Sequence, residues 1–248
     1  MVAWTIITDC VTKPLQRNMS TPAHDTSPLW TWLVRVAVSL ALLGSTGLHA
    51  AEVCGTADGS GVTACRAGLS SAQVETIRVA QEKSQWCWAA SISMVFAHYG
   101  HNVPQEGIVR HHFGDVLDQP VPGDAITSLL AGPWADAEGR PFAVNAAVAH
   151  APDKRPGPAH ETMVAELSRQ RPLLIGVSGH AMVLVRVDYE RHPGNDGVRI
   201  TGGMVIDPRP GRGLRRLLPN EARPSYVAAV RVSVRNTLAL AATAEQQF

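Results

Sequence analysis

Four residues of this sequence have side chains suited to nucleophilic chemistry, in the chain order Gln81, Cys87, His180 and Asp207. A cysteine thiolate is a strong nucleophile, a histidine can take up and return its proton, and a carboxylate can orient the histidine. A glutamine amide can donate a hydrogen bond to the oxyanion that forms on an attacked carbonyl. These residue types predict acyl transfer through a cysteine if the fold brings them together.

Cys87 begins a segment that is predicted to be a buried helix. From Cys87 to Tyr99 there is no Pro or Gly, Gly100 then supplies a C-terminal stop, and apolar residues occupy most sides. Unpaired N–H groups and the helix dipole favour a thiolate at such a helix start. We expect Cys87 to be the nucleophile, with Gln81 and the Cys87 N–H as oxyanion donors. The competing interpretation is a buried structural thiol.

His180 and Asp207 lie at the ends of predicted strands. Residues 171–178 and 181–187 are short apolar runs of the kind that form strands, and His180 immediately precedes the second run. A third predicted strand, 198–206, is followed by Asp207. If the second and third strands form a hairpin, Asp207 can accept the imidazole N–H and fix its tautomer. Taken singly, the two residues are more typical of a structural or surface histidine and of the opening of a turn.

The active-site candidates resemble those of bacterial papain-like cysteine peptidases. The similarity rests on Gln81, Cys87, Trp88, the pair Ala89-Ala90, the Gly-His-Ala setting of His180 and the Asp-Pro setting of Asp207. The chain is similar to bacteriocin-leader-processing peptidases, staphopains and secreted effector proteases of plant pathogens. It departs from the cathepsins, whose signature has a cysteine where this chain has Ser84.

The resemblance implies an α+β, papain-like, two-lobed fold, with a helical lobe, an antiparallel sheet lobe and the active-site cleft between them. The order of the predicted elements, helices first and strands later, favours the same class. The implied function is an exported cysteine peptidase that hydrolyses peptide bonds of a protein or peptide substrate through a Cys-His-Asp triad and an acyl-thioester. No metal and no organic cofactor is expected.

Two other functions stay open at this point. The same acyl-thioester chemistry could end on an amine, or on water at a side-chain amide, which would make the chain a transglutaminase or a deamidase. A secreted binding module that has kept the fold without activity is a different class. The presence of all four candidate residues argues against that class, because an inactive protein would be free to lose any of them.

The N-terminal region predicts export. Residues 29–50 contain an apolar run, 36–43, and an exit of small residues, which is typical of a signal peptide cleaved after about Ala50. The run is far shorter than the roughly 20 residues of a membrane-spanning helix. We therefore expect a periplasmic or secreted protein without stable membrane association. Met19 is a plausible alternative start.

Cysteine usage agrees with export. In an oxidising compartment Cys54 and Cys65 are expected to form a disulfide, stabilising the fold by about 3 kcal/mol in the chain-entropy model. Cys87 then remains unpaired. A zinc site is not expected, because the sequence has no Cys-x-x-Cys motif with histidines at ligand spacing.

Charge excludes one class of partner. The whole chain has 22 Lys and Arg and 21 Asp and Glu, of which residues 1–50 contain three and two. Residues 51–248 therefore have 19 basic and 19 acidic residues. Zero net charge argues against nucleic acid as a partner. One basic cluster, Arg209, Arg212, Arg215 and Arg216, is interpreted as a solvated turn, with substrate steering as the alternative. The sequence does not predict the oligomeric state.

The predicted organisation has four parts: an extension and signal peptide at 1–50, a disulfide-containing segment at 51–73, a peptidase domain at 74–236 and a frayed tail at 237–248. Further elements are expected within the domain: a short strand at 75–79, helices at 103–112, 124–130 and 160–169, strands at 141–148 and 224–234, loops at 151–158, and a loop or short helix at 212–220.

Overall fold

Strands outnumber helices in the residues that this computed structural model describes, which are 52–150, 159–194, 197–221 and 224–233. The helices are α1 (Ser71–Ile77), α2 (Cys87–His98), α3 (Gln105–Phe113), α4 (Gly123–Leu130) and α5 (Ala159–Ser168). The strands are β1 (Glu52–Cys54), β2 (Thr63–Gly68), β3 (Gly132–Ala135), β4 (Pro141–His150), β5 (Leu173–Val177), β6 (His180–Arg191), β7 (Val198–Asp207), β8 (Gly213–Arg216) and β9 (Tyr226–Ser233).

Three predicted segments lie outside the described residues: the extension and signal peptide at 1–50, the loop at 151–158 and the tail at 237–248. Of the helices that are described, none combines the length and the apolar character that a membrane crossing needs.

The strands form one antiparallel sheet with β6 at its centre. The order is β1-β2-β6-β5-β9-β4-β3, and β7 pairs with the other edge of β6 and with β8. β5 and β2 share one edge of β6, since β5 pairs with its first five residues and β2 with its last six. The predicted hairpin of the second and third strands is confirmed, because β6 and β7 are antiparallel with Val183 opposite Ile206. This register brings the start of β6 close to the end of β7.

α2 packs against β5 and β6 and is buried for most of its length. Its sequence has no Lys, Arg, Asp or Glu, so every face can be covered by apolar neighbours. Phe96 contacts the rings of Trp134 and Phe142 edge-on, with centroids 5.0 and 5.2 Å apart. Burial of a large apolar side chain stabilises the fold by about 1.5–3 kcal/mol. This packing fixes the axis of the helix and therefore the position of Cys87 at its first turn.

Two local predictions are wrong. Residues 75–79 are not a strand, because α1 runs from Ser71 to Ile77. Ser70 and Gln73 form a reciprocal capping box that starts this helix, and Val74 and Ile77 are buried at helical spacing. Residues 212–220 contain the strand β8 followed by a 3₁₀ turn at Pro219–Glu221. The remaining predicted elements in the described ranges formed within a few residues of the expected bounds.

The predicted disulfide is present. Cys54 and Cys65 are bonded and face each other in the β1–β2 pair. β2 pairs in turn with β6, so the segment before α1 is part of the same sheet that carries His180.

Candidate active site

Cys87 is the first residue of α2, and its thiol is unpaired and partly buried. The residue before the helix, Trp86, provides no side-chain cap, so no capping side chain uses the N–H groups of the first turn. Asp118 holds the preceding loop, since its carboxylate accepts from the Ser84 hydroxyl and the Gln85 N–H, both at 2.8 Å. These two bonds lower the pKa of Asp118, with the Gln85 N–H contributing most. No local pattern in the sequence predicts Asp118 as a partner of this loop, because the contacts span more than thirty residues.

His180 is the first residue of β6 and follows a two-residue hairpin turn. Ser178 and Gly179 both have positive φ, 48° and 76°, which is the backbone that a type I′ turn requires. The ring nitrogen Nε2 of His180 lies 2.7 Å from Oδ1 of Asp207, the last residue of β7. Both side chains are buried, with 7% and 2% of each residue exposed.

The environment of this pair favours a neutral imidazole beside an ionised carboxylate. Burial is the main cause that lowers the pKa of His180. The hydrogen bond to Asp207 and its negative charge raise this pKa, and the charges of Arg209 and Arg215 lower it further. Burial alone would raise the pKa of Asp207, but the Arg209 N–H, His180 and Arg215 together hold it below its ordinary value. A neutral imidazole oriented by a carboxylate is suited to accept a proton.

Arg215 holds the second oxygen of Asp207. Its Nε and Nη2 donate to Oδ2 at 3.0 and 2.8 Å. The same guanidinium donates to both oxygens of Glu221, at 2.7 and 2.8 Å. Glu221 is itself 8% exposed and accepts the Leu218 N–H at 2.9 Å. The interpretation of Arg215 as part of a solvated turn is wrong, because Arg215 lies on β8 and pairs with two buried carboxylates.

Cys87 and His180 line one cleft of about 430 Å³ between α2, α4 and the sheet. Its walls include Gln85, Trp88, Val121, Ile126, Gly176 and Tyr226. Gly176 allows the close approach of Tyr226, because a Cβ there would lie 3.3 Å from Tyr226 Cβ. Among the described residues that line this cleft, none is Asp, Glu, Lys or Arg. A larger cavity of about 830 Å³ beside α5 contains none of the four candidate residues.

Gln81 is not brought into the cleft. Its Nε2 donates to the carbonyls of Lys83 and Ser84 at 2.8 and 2.9 Å, and its Oε1 is buried without a hydrogen-bond partner. Its backbone N–H donates to the Pro208 carbonyl at 2.7 Å. Gln81 therefore braces the loop that leads to Cys87 and ties it to the turn after Asp207.

One cluster of potential metal ligands occurs within the described ranges, formed by Glu52, Cys54 and Cys65. The two sulfurs are bonded to each other, so neither is a thiolate that could bind a metal.

Residues 70–217 match the family described as papain-like cysteine protease AvrRpt2. The match covers more than half of the chain, and the chain belongs to this family of papain-like cysteine proteases. The predicted α+β papain-like fold and the assignment as a cysteine peptidase are thereby confirmed.

Among solved structures, the chain is similar to a double glycine motif protease from an AMS/PCAT transporter, crystallised in complex with the leader peptide. The identity is 17%, the alignment covers 63% of this chain and 91% of that chain, and the TM-score is 0.38. No curated protein matches the sequence.

Proposed function

We propose that this cysteine peptidase is exported and cleaves protein or peptide substrates through a triad of Cys87, His180 and Asp207. The observation that carries the proposal is the buried 2.7 Å contact between His180 and Asp207, on a histidine that lines the same cleft as the Cys87 thiol. A nucleophile, a base and a group that orients the base are the three parts that thiol-dependent acyl transfer needs.

In the first half of the reaction His180 acts as a base. The Nε2 atom of His180 is hydrogen-bonded to Asp207, whereas Nδ1 makes no hydrogen bond to another described residue. Nδ1 is therefore the atom that accepts the proton of the Cys87 thiol. The sulfur attacks the scissile carbonyl, forming a C–S bond and an oxyanion. The oxyanion then collapses, the C–N bond breaks, and the amine leaves with the proton from His180.

In the second half water replaces the amine. His180 takes a proton from a water molecule, the hydroxide attacks the thioester, and the C–S bond breaks. The carboxylic acid product leaves and the proton returns to Cys87. Asp207 stabilises the imidazolium that forms in both halves.

The Cys87 N–H and Gln81 are the donors for the oxyanion in this proposal. For Gln81 the role requires a change from the free enzyme, because both of its amide hydrogens go to the Lys83 and Ser84 carbonyls. One of these bonds would be exchanged for the oxyanion when the acyl group forms. An exchange of this kind is compatible with the tightening of catalytic hydrogen bonds in the reactive complex.

The cleft favours an uncharged substrate side chain. Its walls combine Trp88, Val121, Ile126 and Tyr226 with small residues, and the described part of its lining contains no Lys, Arg, Asp or Glu. A charged side chain would lose its hydration without gaining an ionic partner. We therefore expect apolar or small residues around the cleaved bond.

Export is supported by the predicted signal peptide and by the Cys54–Cys65 disulfide, since disulfides persist in oxidising compartments. The test is expression in a bacterial host with N-terminal sequencing of the periplasmic or secreted product. A start close to Ala51 supports export, and full-length protein held in the cytoplasm contradicts it.

Labelling with an epoxysuccinyl inhibitor tests the triad. Intact-mass analysis of the wild type should give one adduct that maps to Cys87, and Cys87→Ala should give none. His180→Ala should slow labelling by at least about 100-fold, the contribution expected of a general base. Labelling at the same rate in His180→Ala would refute the triad, because the thiol would then react without its base. A folded, unlabelled wild type would refute a competent active site.

A further inference from the structure

A cavity of about 330 Å³ is lined in part by Asp207, the hydrogen-bond partner of His180. One wall is the segment after α1, with Arg78, and the other is the turn between β7 and β8, with Arg209 and Arg212. The cleft and this cavity share no lining residue, although His180 lines the first and its partner Asp207 lines the second.

The cavity is lined by more positive than negative charge. Arg209 and Arg212 are exposed and form no ion pair with another described residue, while Arg78 pairs with Glu75 at 2.9 Å. Among the described residues of its wall, Asp207 carries the one carboxylate. Both oxygens of that carboxylate are already engaged, by His180 and the Arg209 N–H on one side and by Arg215 on the other.

The two walls are held together by the backbone. The Gln81 N–H donates to the Pro208 carbonyl at 2.7 Å, and within the turn the Arg212 N–H donates to the Arg209 carbonyl at 3.0 Å. Gly213 has a φ of 54°, and a Cβ there would lie 3.4 Å from Nη1 of Arg78. The Arg78 guanidinium thus lies directly against the turn, and the three arginines that line the cavity come from two connected segments.

We propose that the Arg78–Arg209–Arg212 cavity binds a phosphate-class oxyanion. A guanidinium presents paired N–H donors that match two oxygens of a phosphate, and several of them converging on one cavity is the usual way proteins hold such an anion. The volume admits a group larger than a single phosphate, so pyrophosphate is the appropriate probe. Inorganic phosphate should bind the same site more weakly, because it offers fewer oxygens.

The site is coupled to the triad through Arg209. Its backbone N–H donates to Oδ1 of Asp207 at 3.0 Å, the same oxygen that contacts His180. The charged groups near His180 are Asp207 on β7, Arg209 in the turn and Arg215 on β8, with the Cys87 thiol on α2. The charge of Arg209 contributes to the lowered pKa of His180, after burial. An anion that neutralises Arg209 should therefore raise that pKa. Any effect of the anion on catalytic turnover rests on the proposed function, whereas the binding of the anion to the cavity does not.

The experiment is calorimetric titration of the purified full-length chain with pyrophosphate, in a Cys87→Ala background that removes catalysis. Arg209→Ala/Arg212→Ala is compared with Arg110→Ala/Arg199→Ala, which removes the same charge from two exposed, ion-paired arginines elsewhere. We expect saturable binding that weakens by at least about tenfold in the first double variant and stays within about twofold in the second. NMR titration of the His180 ring should show its pKa rising with pyrophosphate.

Absence of saturable pyrophosphate binding by the Cys87→Ala chain that keeps Arg209 and Arg212 would overturn the proposal. Equal weakening in both double variants would also overturn it, because binding would then follow net charge. Sedimentation with phosphatidic acid vesicles distinguishes the source: vesicle binding that the first double variant abolishes assigns the site to a lipid phosphate, and pyrophosphate binding without vesicle binding assigns it to a soluble anion. Since these assays need no peptidase activity, their outcome is independent of the triad.

Discussion

The guanidinium of Arg215 meets Asp207 through two hydrogen bonds, from Nε at 3.0 Å and Nη2 at 2.8 Å, on the carboxylate oxygen that His180 leaves open. The same guanidinium is shared with Glu221. One cation between two carboxylates fixes the plane of Asp207 and thus the direction in which it holds the imidazole. Because Arg215 also pairs with Glu221, its positive charge is shared between the two carboxylates.

Loss of Arg215 should destabilise the fold. In Arg215→Met two buried carboxylates lose their common partner, which costs about 3–5 kcal/mol for a buried ion pair broken from one side. Urea unfolding followed by circular dichroism measures the free energy of unfolding. Arg110→Met is the matched control, because its ion pair with Glu106 is exposed on both sides and should contribute less than about 1 kcal/mol. An equal loss in the two variants would contradict a special role for Arg215.

The pH dependence of kcat/KM should report His180. Because its pKa is lowered, chiefly by burial, the neutral imidazole persists below the ordinary value of 6.5, and activity should fall only at lower pH. Arg215→Lys keeps the charge and should leave this acidic limb in place. Arg215→Gln removes a cation that lowers the pKa of His180, so the limb should move to higher pH.

Asp207→Ala should move the same limb in the opposite direction. Asp207 raises the pKa of His180, so its removal lets burial lower that pKa further, and the limb should shift to lower pH. At the same time kcat should fall by about 100-fold or more, because the imidazole loses the group that orients it. Limbs that shift in the same direction in Asp207→Ala and Arg215→Gln would rule out His180 as the titrating base.

Two glutamines near Cys87 provide a test of the oxyanion donor. Gln81→Ala should lower kcat by about 100-fold with little change in KM, as expected when one oxyanion donor is lost. Gln85→Ala is the control, because Gln85 is a second glutamine that lines the cleft. The substitution keeps the backbone N–H of residue 85, which is the group that donates to Asp118. If Gln85→Ala lowers kcat more than Gln81→Ala, the donor is Gln85. Thermal unfolding of both variants separates this effect from loss of the loop bracing that Gln81 provides.

The disulfide should contribute to stability. Cys54→Ser/Cys65→Ser should lower the free energy of unfolding by about 3 kcal/mol in the chain-entropy model. The measurement is urea unfolding of wild type and variant, with and without a reducing agent. The reductant should lower the stability of the wild type to that of the double variant and leave the variant unchanged. The inhibitor labelling of Cys87 should continue in the double variant, because neither substitution touches the cleft.

The elements that carry the candidate triad follow from local patterns in the sequence. Cys87 begins an uninterrupted apolar segment that ends at a glycine, and this pattern specifies a buried helix with the thiol at its N-terminus. The short apolar runs around His180 and before Asp207 specify adjacent strands, and neighbouring strands pair most readily. These features depend on residues close together in the chain, so a local pattern is enough to predict them.

The side chains that surround those residues depend instead on tertiary packing. The Arg215–Glu221 contact depends on β8, a short strand that no alternation marked, and the Asp118 contact joins loops more than thirty residues apart. Likewise, the spacing of Gln81 from Cys87 predicts an oxyanion donor, but its amide N–H groups donate to the carbonyls of Lys83 and Ser84 in its own loop. Such side-chain partners depend on how separate segments pack together and on which polar groups lose contact with water when they are buried. A local sequence pattern predicts neither of these.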